Sequence, residues 1–463
     1  MKKHKPLLLE MALVFRMWIV WIFVGAAIAT AGPLDEYVAK PDAAYAFRLE
    51  SVVEGQGVTG YVIGMTSQLW RSAAEVNRPR WDHWVQIIVP ARVSNDTALL
   101  MIGGGSNDKP APDKLSGMLV EISRRTGSVT AEIATIPSEP LKFAGEDRER
   151  SEDAIIAYSW EQFRKTGDTS WPVQLAMVKS AVRAMDTVQK FTADLAGREM
   201  VRSFVVTGAS KRGWTTWLTG AADKRVRAII PVVIDMLNTQ ASFRHHRAVY
   251  GFYAPAVHDY EEMGIFEWIQ SPESDRLMAI VDPFSYRDRL TMPKFLIYGT
   301  QDEFFLPDSS RYYFDALKGQ KYLRYVPNAG HGLKDSDAIQ SLAAFFQAIV
   351  EGAKLPQFSW EQTGGESVKV TAVDRPRKVL LWQGHNPKAR DFRIDVLGPV
   401  WKSTELTDQG GGVYTGKVDR LSEGFRAFMV ELTYDSSFGR EYKFTTPVYV
   451  TPDTEPFAQA AGK

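Results

Sequence analysis

Cysteine is absent from all 463 residues, so the chain has no disulfide framework, no thiolate metal site and no thiol to carry a lipid. An excess of charge of either sign is also absent: 55 basic residues balance 55 acidic ones, for a formal net charge of zero. Nucleic-acid-binding proteins usually show a basic imbalance, so no such partner is expected. Long apolar runs are scarce. The run at 17–29 falls short of the roughly 20 residues that a membrane-spanning helix needs. Lys2, Lys3, His4, Lys5 and Arg16 precede it, and Ala29-Thr30-Ala31 supplies the small-x-small pattern of a signal-peptidase site. Residues 1–31 are therefore expected to be a signal peptide, with a signal anchor reaching Ala31 as the competing reading. A large exported chain without disulfides fits a periplasmic or secreted bacterial protein, with no stable membrane span once the leader is removed.

What is present is a mixed pattern of strands and helices. Hydrophobic residues make up 45% of the chain, enough for a sizeable core. Residues 62–66 and 84–90 read as opening strands with period-two alternation. Apolar strands then follow at 98–102, 129–134, 204–206, 226–234, 294–302 and 322–326, with helices at 113–124, 172–191 and 339–350. Strands that are apolar throughout, separated by helices, indicate an α/β class: a mostly parallel sheet with helices on both faces. Residues 239–290 break the rhythm with aromatics, His245, His246 and acidic residues. A helical cap over the strand ends is expected there, the alternative being a long helical crossover. Short strand-like runs then appear at 367–373, 378–382, 391–397, 413–418, 425–432 and 443–450. They suggest an immunoglobulin-like β-sandwich at 353–463, after a main domain at 32–352. That C-terminal part has no acidic or histidine cluster suited to catalysis, so it is expected to support the main domain without supplying chemistry.

Three motifs fall just past strands. Gly208-Ala209-Ser210-Lys211-Arg212-Gly213 links the 204–206 strand to a helical run, the place where a sharp turn can expose a nucleophilic serine. Asp302 ends the 294–302 strand, and His331 sits in Asn328-Ala329-Gly330-His331-Gly332 after the next one. Serine, aspartate, histidine is the chain order of the α/β-hydrolase triad: nucleophile, orienting acid and general base. The glycine of Gly-x-Ser-x-Gly is displaced here by one position, to Gly213, with Arg212 in its usual slot. Asp235, at the end of the 226–234 strand, is the alternative acid and otherwise a residue that shapes the pocket. Asp302 is favoured because one strand–helix–strand unit separates it from His331. The expected oxyanion donors are the backbone N–H of Lys211 and of Gly104 or Gly105, in the Gly103-Gly104-Gly105-Ser106-Asn107 loop. Asn107, Trp214, Glu261 and Glu262 complete the candidate pocket residues. His245-His246 lacks a carboxylate at ligand spacing, so no metal is expected, and no cofactor is called for.

Beyond these motifs the chain resembles the PhoPQ-activated pathogenicity-related family. Leu34-Asp35-Glu36-Tyr37-Val38, Thr66-Ser67-Gln68-Leu69-Trp70, Gly208-Ala209-Ser210-Lys211-Arg212-Gly213-Trp214 and Asp235-Met236-Leu237-Asn238 carry the likeness. The resemblance implies an exported α/β hydrolase linked to envelope stress and virulence, with no fixed substrate. The reading is a serine hydrolase that cleaves a small-molecule ester or a peptide through an acyl-enzyme. Two alternatives are a dipeptidyl-type aminopeptidase, with Glu261-Glu262 holding the free amine, and a non-catalytic binding protein on a hydrolase scaffold.

Overall fold

The computed structural model describes residues 32–197, 200–436, 439 and 441–458. The leader expected at 1–31 lies outside these residues. Strands β1 (Ala46–Gly55), β2 (Val58–Leu69) and β3 (Arg80–Pro90) form an antiparallel ribbon. Six parallel strands continue it: β4 (Thr97–Ile102), β5 (Thr130–Ile133), β6 (Ser203–Ala209), β7 (Val226–Val232), β8 (Lys294–Gly299) and β9 (Lys321–Val326). Their order across the sheet is β1-β2-β3-β5-β4-β6-β7-β8-β9, with β3 antiparallel to β5. From β2 to β9 this is the strand order of an α/β hydrolase. The parallel sheet expected from the apolar strands is therefore present.

Alternate residues of each strand feed two separate apolar layers, because successive side chains leave opposite faces. Leu100, Val206 and Leu296 enter one layer, with α3 (Asp153–Thr166), α4 (Val173–Ala196) and α5 (Lys211–Ala222). Leu99, Val205 and Ile297 enter the other, with α2 (Gly117–Thr126) and α10 (Ala338–Glu351). Ahead of them, α1 (Pro33–Ala39) packs on α4. Proline at 172 opens α4, where its missing N–H costs nothing, and Gly197 closes it at φ 64°. No described helix is long and apolar enough to cross a membrane.

The 239–290 insertion is helical: α6 (Thr239–Tyr250), α7 (His258–Glu262), α8 (Ile265–Trp268) and α9 (Pro272–Val281). Helices α7, α8 and α9 pack on α3.

The C-terminal strands depart from expectation in how they are attached. They are β10 (Phe358–Gln362), β11 (Ser367–Ala372), β12 (Lys378–Asn386), β13 (Lys402–Glu405), β14 (Val413–Lys417), β15 (Phe425–Asp435), β16 (Glu441–Thr445) and β17 (Tyr449–Thr451). β16 pairs with β9, so the large sheet runs on through β16-β15-β12-β13, with β17 on β15. A second sheet, β10-β11-β14, packs on it and shares the apolar layer of α2 and α10. The described residues from 32 onward group as one compact unit. The boundary expected at 353 is crossed by main-chain pairing, which ties the last strands to the parallel sheet. The strand expected at 391–397 is instead a loop leading into α11 (Ile394–Leu397).

Candidate active site

β6 ends at Ala209 and α5 begins at Lys211, leaving Ser210 alone at the turn with φ 59° and ψ −127°. Such backbone costs on the order of 1–3 kcal/mol and persists only where its surroundings enforce it. Enforcement comes from both sides. The Ser210 N–H donates to Val232 O at 2.8 Å, and the Trp214 N–H donates to Ser210 O at 3.0 Å. The helix also rests directly on the strands. A Cβ on Gly208 would lie 2.7 Å from Arg212 O, and one on Gly213 would lie 2.8 Å from Val232 O. The displaced second glycine thus meets the same close-packing need.

Past β9, His331 Nε2 lies 2.9 Å from Ser210 Oγ. Its Nδ1 lies 2.8 Å from Oδ2 and 3.0 Å from Oδ1 of Asp302, just past β8. A carboxylate only accepts, so Nδ1 carries the proton and Nε2 is free to accept from the serine hydroxyl. Asp302 Oδ1 also accepts the Phe304 N–H at 2.8 Å, and Glu303 accepts the His331 N–H at 2.6 Å. The Phe304 ring lies 4.3 Å from the imidazole. Burial presses the proton affinity of His331 down, but the charge and hydrogen bond of Asp302 outweigh it and raise it above the usual value.

Asp235 is committed elsewhere. It accepts from Tyr313 Oη at 2.5 Å and Tyr325 Oη at 2.6 Å, and Tyr313 also bonds Tyr298. Burial, against those two donors, pushes its carboxyl up to about 8. Its partners are tyrosines, and the imidazole of His331 is held by Asp302 instead.

A charged layer lies behind Ser210. The Lys211 ammonium pairs with Glu152 and with Asp153 at 3.2 Å. Arg212 forks onto Glu152 at 2.7 and 2.8 Å, reaches Glu139 at 3.4 Å and donates to Ile136 O. Burial opposes the charge on Glu152, but Arg212 and Lys211 overcome it and hold that carboxyl low. Burial together with the Glu152 charge pushes Glu139 upward. Ile102 is in register with Gly208, so the glycine loop leaves β4 beside the serine turn, and Gly104 lies against the Arg212 guanidinium.

In front of Ser210 is a small, partly open cavity of about 20 Å³. Lys211, Trp214, Ile234 and Met236 line it from the sheet side, and Phe304 and Phe305 from the acid loop. Phe243, Val257 and Tyr260 come from the insertion, and Asp153 from the start of α3.

A model of the PhoPQ-activated pathogenicity-related protein family matches residues 34–393. The chain belongs to that family. Autocrine proliferation repressor protein A of Dictyostelium discoideum is 36% identical over 458 residues, 93% of this chain and 92% of that one. Among solved structures, the acetyl xylan esterase from Paenibacillus sp. R4 is similar over 69% of this chain and 92% of its own, at 14% identity and TM-score 0.46. Acetyl xylan esterase 1 from Thermoanaerobacterium sp. JW/SL YS485 is similar over 68% and 90%, at 15% identity and TM-score 0.45.

The remaining pocket residues read from the sequence divide. Trp214 lines the cavity, with its indole N–H fixed on Val281 O at 2.6 Å. Asn107 instead takes a hydrogen bond from Ser138 at 3.0 Å and opens onto a separate groove along β1–β3. Glu261 and Glu262 are exposed on α7, where Glu262 pairs with Arg148, because the α7 face turned inward is that of Tyr260. The histidine pair is occupied as well. His245 lies between Glu455 at 2.7 Å and Asp308 at 3.1 Å, and His246 Nε2 accepts the Ala254 N–H. Sequence reasoning missed Glu152, Asp153, Phe243, Val257 and Tyr260, which reach the site from distant helices. Phe304-Phe305, directly after Asp302-Glu303, was a signal that could have been used.

Proposed function

We propose that this chain is a serine hydrolase of carboxylic esters that works through an acyl-enzyme, exported as its leader-like residues 1–31 suggest. The observation that carries this reading is the unbroken hydrogen-bonded path from the Ser210 hydroxyl through His331 to Asp302, with the serine on a strained turn. Ser210 Oγ attacks the ester carbonyl while His331 Nε2 takes its proton. The oxyanion then forms beside the first turn of α5. The Lys211 N–H is one of the first helical donors, which have no acceptor inside the helix. Gly104 or Gly105 is the second donor in this reading. Collapse breaks the bond to the alcohol oxygen, which receives the proton from His331. Water, deprotonated by the same nitrogen, then releases the acid and restores Ser210.

The aminopeptidase alternative needs a carboxylate free to hold an amine. Glu152 and Asp153, at this end of the sheet, are already paired with Lys211 and Arg212, which favours an ester over a substrate with a free amine. Treatment with a fluorophosphonate probe tests the reading. The wild-type chain should take up one adduct at Ser210 and Ser210→Ala none. A wild-type chain that stays unlabelled and cleaves no activated ester would overturn it in favour of a binding protein.

A further inference from the structure

Resting on that hydrolase reading, we infer that the site is built for short acyl groups, acetyl above all, and that the insertion sets this limit through Phe243 and Val257. The cavity in front of Ser210 is narrow, with about 20 Å³ of free space between Phe243, Val257, Tyr260, Trp214, Phe304 and Phe305. A two-carbon acyl group fits such a space and a longer one does not. The acyl group is the one that must occupy it. It remains bonded to Ser210 while the alcohol leaves, and a bulky alcohol is better placed on the open side of the half-buried Ser210 than in a narrow space walled by the insertion.

The walls are held in place. The Phe243 ring packs 4.9 Å from Phe266, and Trp160 lies 5.7 Å from Trp214 and 5.5 Å from Tyr260. The Tyr260 hydroxyl is tied to Asp153 at 3.0 Å and the Trp214 indole to Val281. Phe243, Trp214 and Tyr260 are buried. Swinging any of them aside would break these contacts in a close-packed region.

The cavity's chemistry narrows the choice as well. Its ionic groups, Asp153 and Lys211, are bonded to each other and to Tyr260 and Glu152. An acyl chain that brings an amine or carboxylate would be desolvated there without a partner. The fitting class is a small uncharged acyl group on a larger alcohol held outside.

The test is a series of p-nitrophenyl acetate, butyrate, hexanoate and octanoate with the full chain, alongside fluorophosphonate labelling. Wild-type kcat/KM should fall about tenfold or more from acetate to butyrate, and again to hexanoate, since one methylene in a fitted pocket is worth roughly 10–200-fold. Phe243→Ala and the milder Val257→Ala should raise butyrate and hexanoate relative to acetate. If Phe243→Ala fails to fold, Val257→Ala and the wild-type series still decide. Wild-type protein that labels at Ser210 yet cleaves hexanoate or octanoate as fast as acetate would overturn the short-acyl inference and leave the hydrolase reading standing. Absence of both labelling and ester cleavage would overturn the hydrolase reading itself.

Discussion

His331 stands between burial, which lowers its proton affinity, and Asp302, which raises it. As the general base of the proposed mechanism it must be neutral, so kcat/KM should rise with pH through a limb above the ordinary histidine value of about 6.5. Asp302→Asn removes the raising influence, so that limb should move to lower pH in a pH–rate profile. The same change should cut kcat roughly 10⁴-fold, by analogy with the serine-protease template. Asp235→Asn should cost far less activity, because Asp235 serves Tyr313 and Tyr325; a larger loss there than at Asp302 would reverse the assignment of the acid. Ser210→Ala and His331→Ala should each lower kcat on the order of 10⁶-fold, and the double variant little further, since the pair works as a unit. Appreciable steady-state turnover by Ser210→Ala would contradict this. That Ser210, Asp302 and His331 come within hydrogen-bond reach was legible in the sequence because each falls just past an apolar strand, Ser210 and His331 with glycines nearby. Apart from Trp214, the apolar cavity walls were not. Phe243 and Tyr260 look like any buried aromatics until the fold turns α6 and α7 over the serine.

Between residue and whole, the segment around α11 acts as a brace. Gln301, one residue before Asp302, donates to Phe392 O at 3.0 Å and Gly398 O at 2.7 Å, and its carbonyl accepts the Ile394 N–H at 3.0 Å. Asn328, shortly before His331, exchanges two hydrogen bonds with the Trp401 backbone, at 2.8 and 3.0 Å. One loop therefore fixes both the acid turn and the base turn. Gln301→Leu leaves the buried Phe392 carbonyl unpaired, a cost of about 1–3 kcal/mol, and releases the partly buried Gly398 carbonyl. It should lower stability in urea unfolding and reduce kcat more than it raises KM; unchanged kcat would mean that the brace has no part in positioning. The sequence read this segment as a strand because Phe392, Ile394 and Val396 alternate with polar residues. The structure buries Phe392 yet leaves Val396 53% exposed, and it buries Arg390, Asp391 and Arg393. Alternation alone could not show that these charges have partners: Arg393 pairs with Asp391, and Arg390 pairs with Asp308 and Asp453.

The whole molecule is tied together from its C-terminal end. Thr445 of β16 pairs with Leu323 of β9, and its hydroxyl accepts the Tyr325 N–H at 3.0 Å. The fully buried Arg324, on β9, is neutralised by Glu431 on β15 and Asp337. The tail returns across the insertion, where Glu455 holds His245 and Asp453 holds Arg311 and Arg390. From the sequence, 353–463 was expected to support the main domain as a separate sandwich without supplying chemistry, since its short strands and turns carry no catalytic motif and strand pairing across long separations leaves no local trace. Its position makes a different prediction. A chain cut at residue 353 would lose Glu431 and the α11 brace and would bare the β9 edge. It would also uncover Phe295 and Tyr322, whose rings pack on Phe444 of β16, and an unpaired strand edge beside exposed apolar surface is an aggregation site. The truncated chain should therefore accumulate as aggregate, and any soluble fraction should fail to take up a fluorophosphonate at Ser210. Soluble truncated protein with a cooperative unfolding transition and wild-type labelling would show that residues 32–352 stand alone after all.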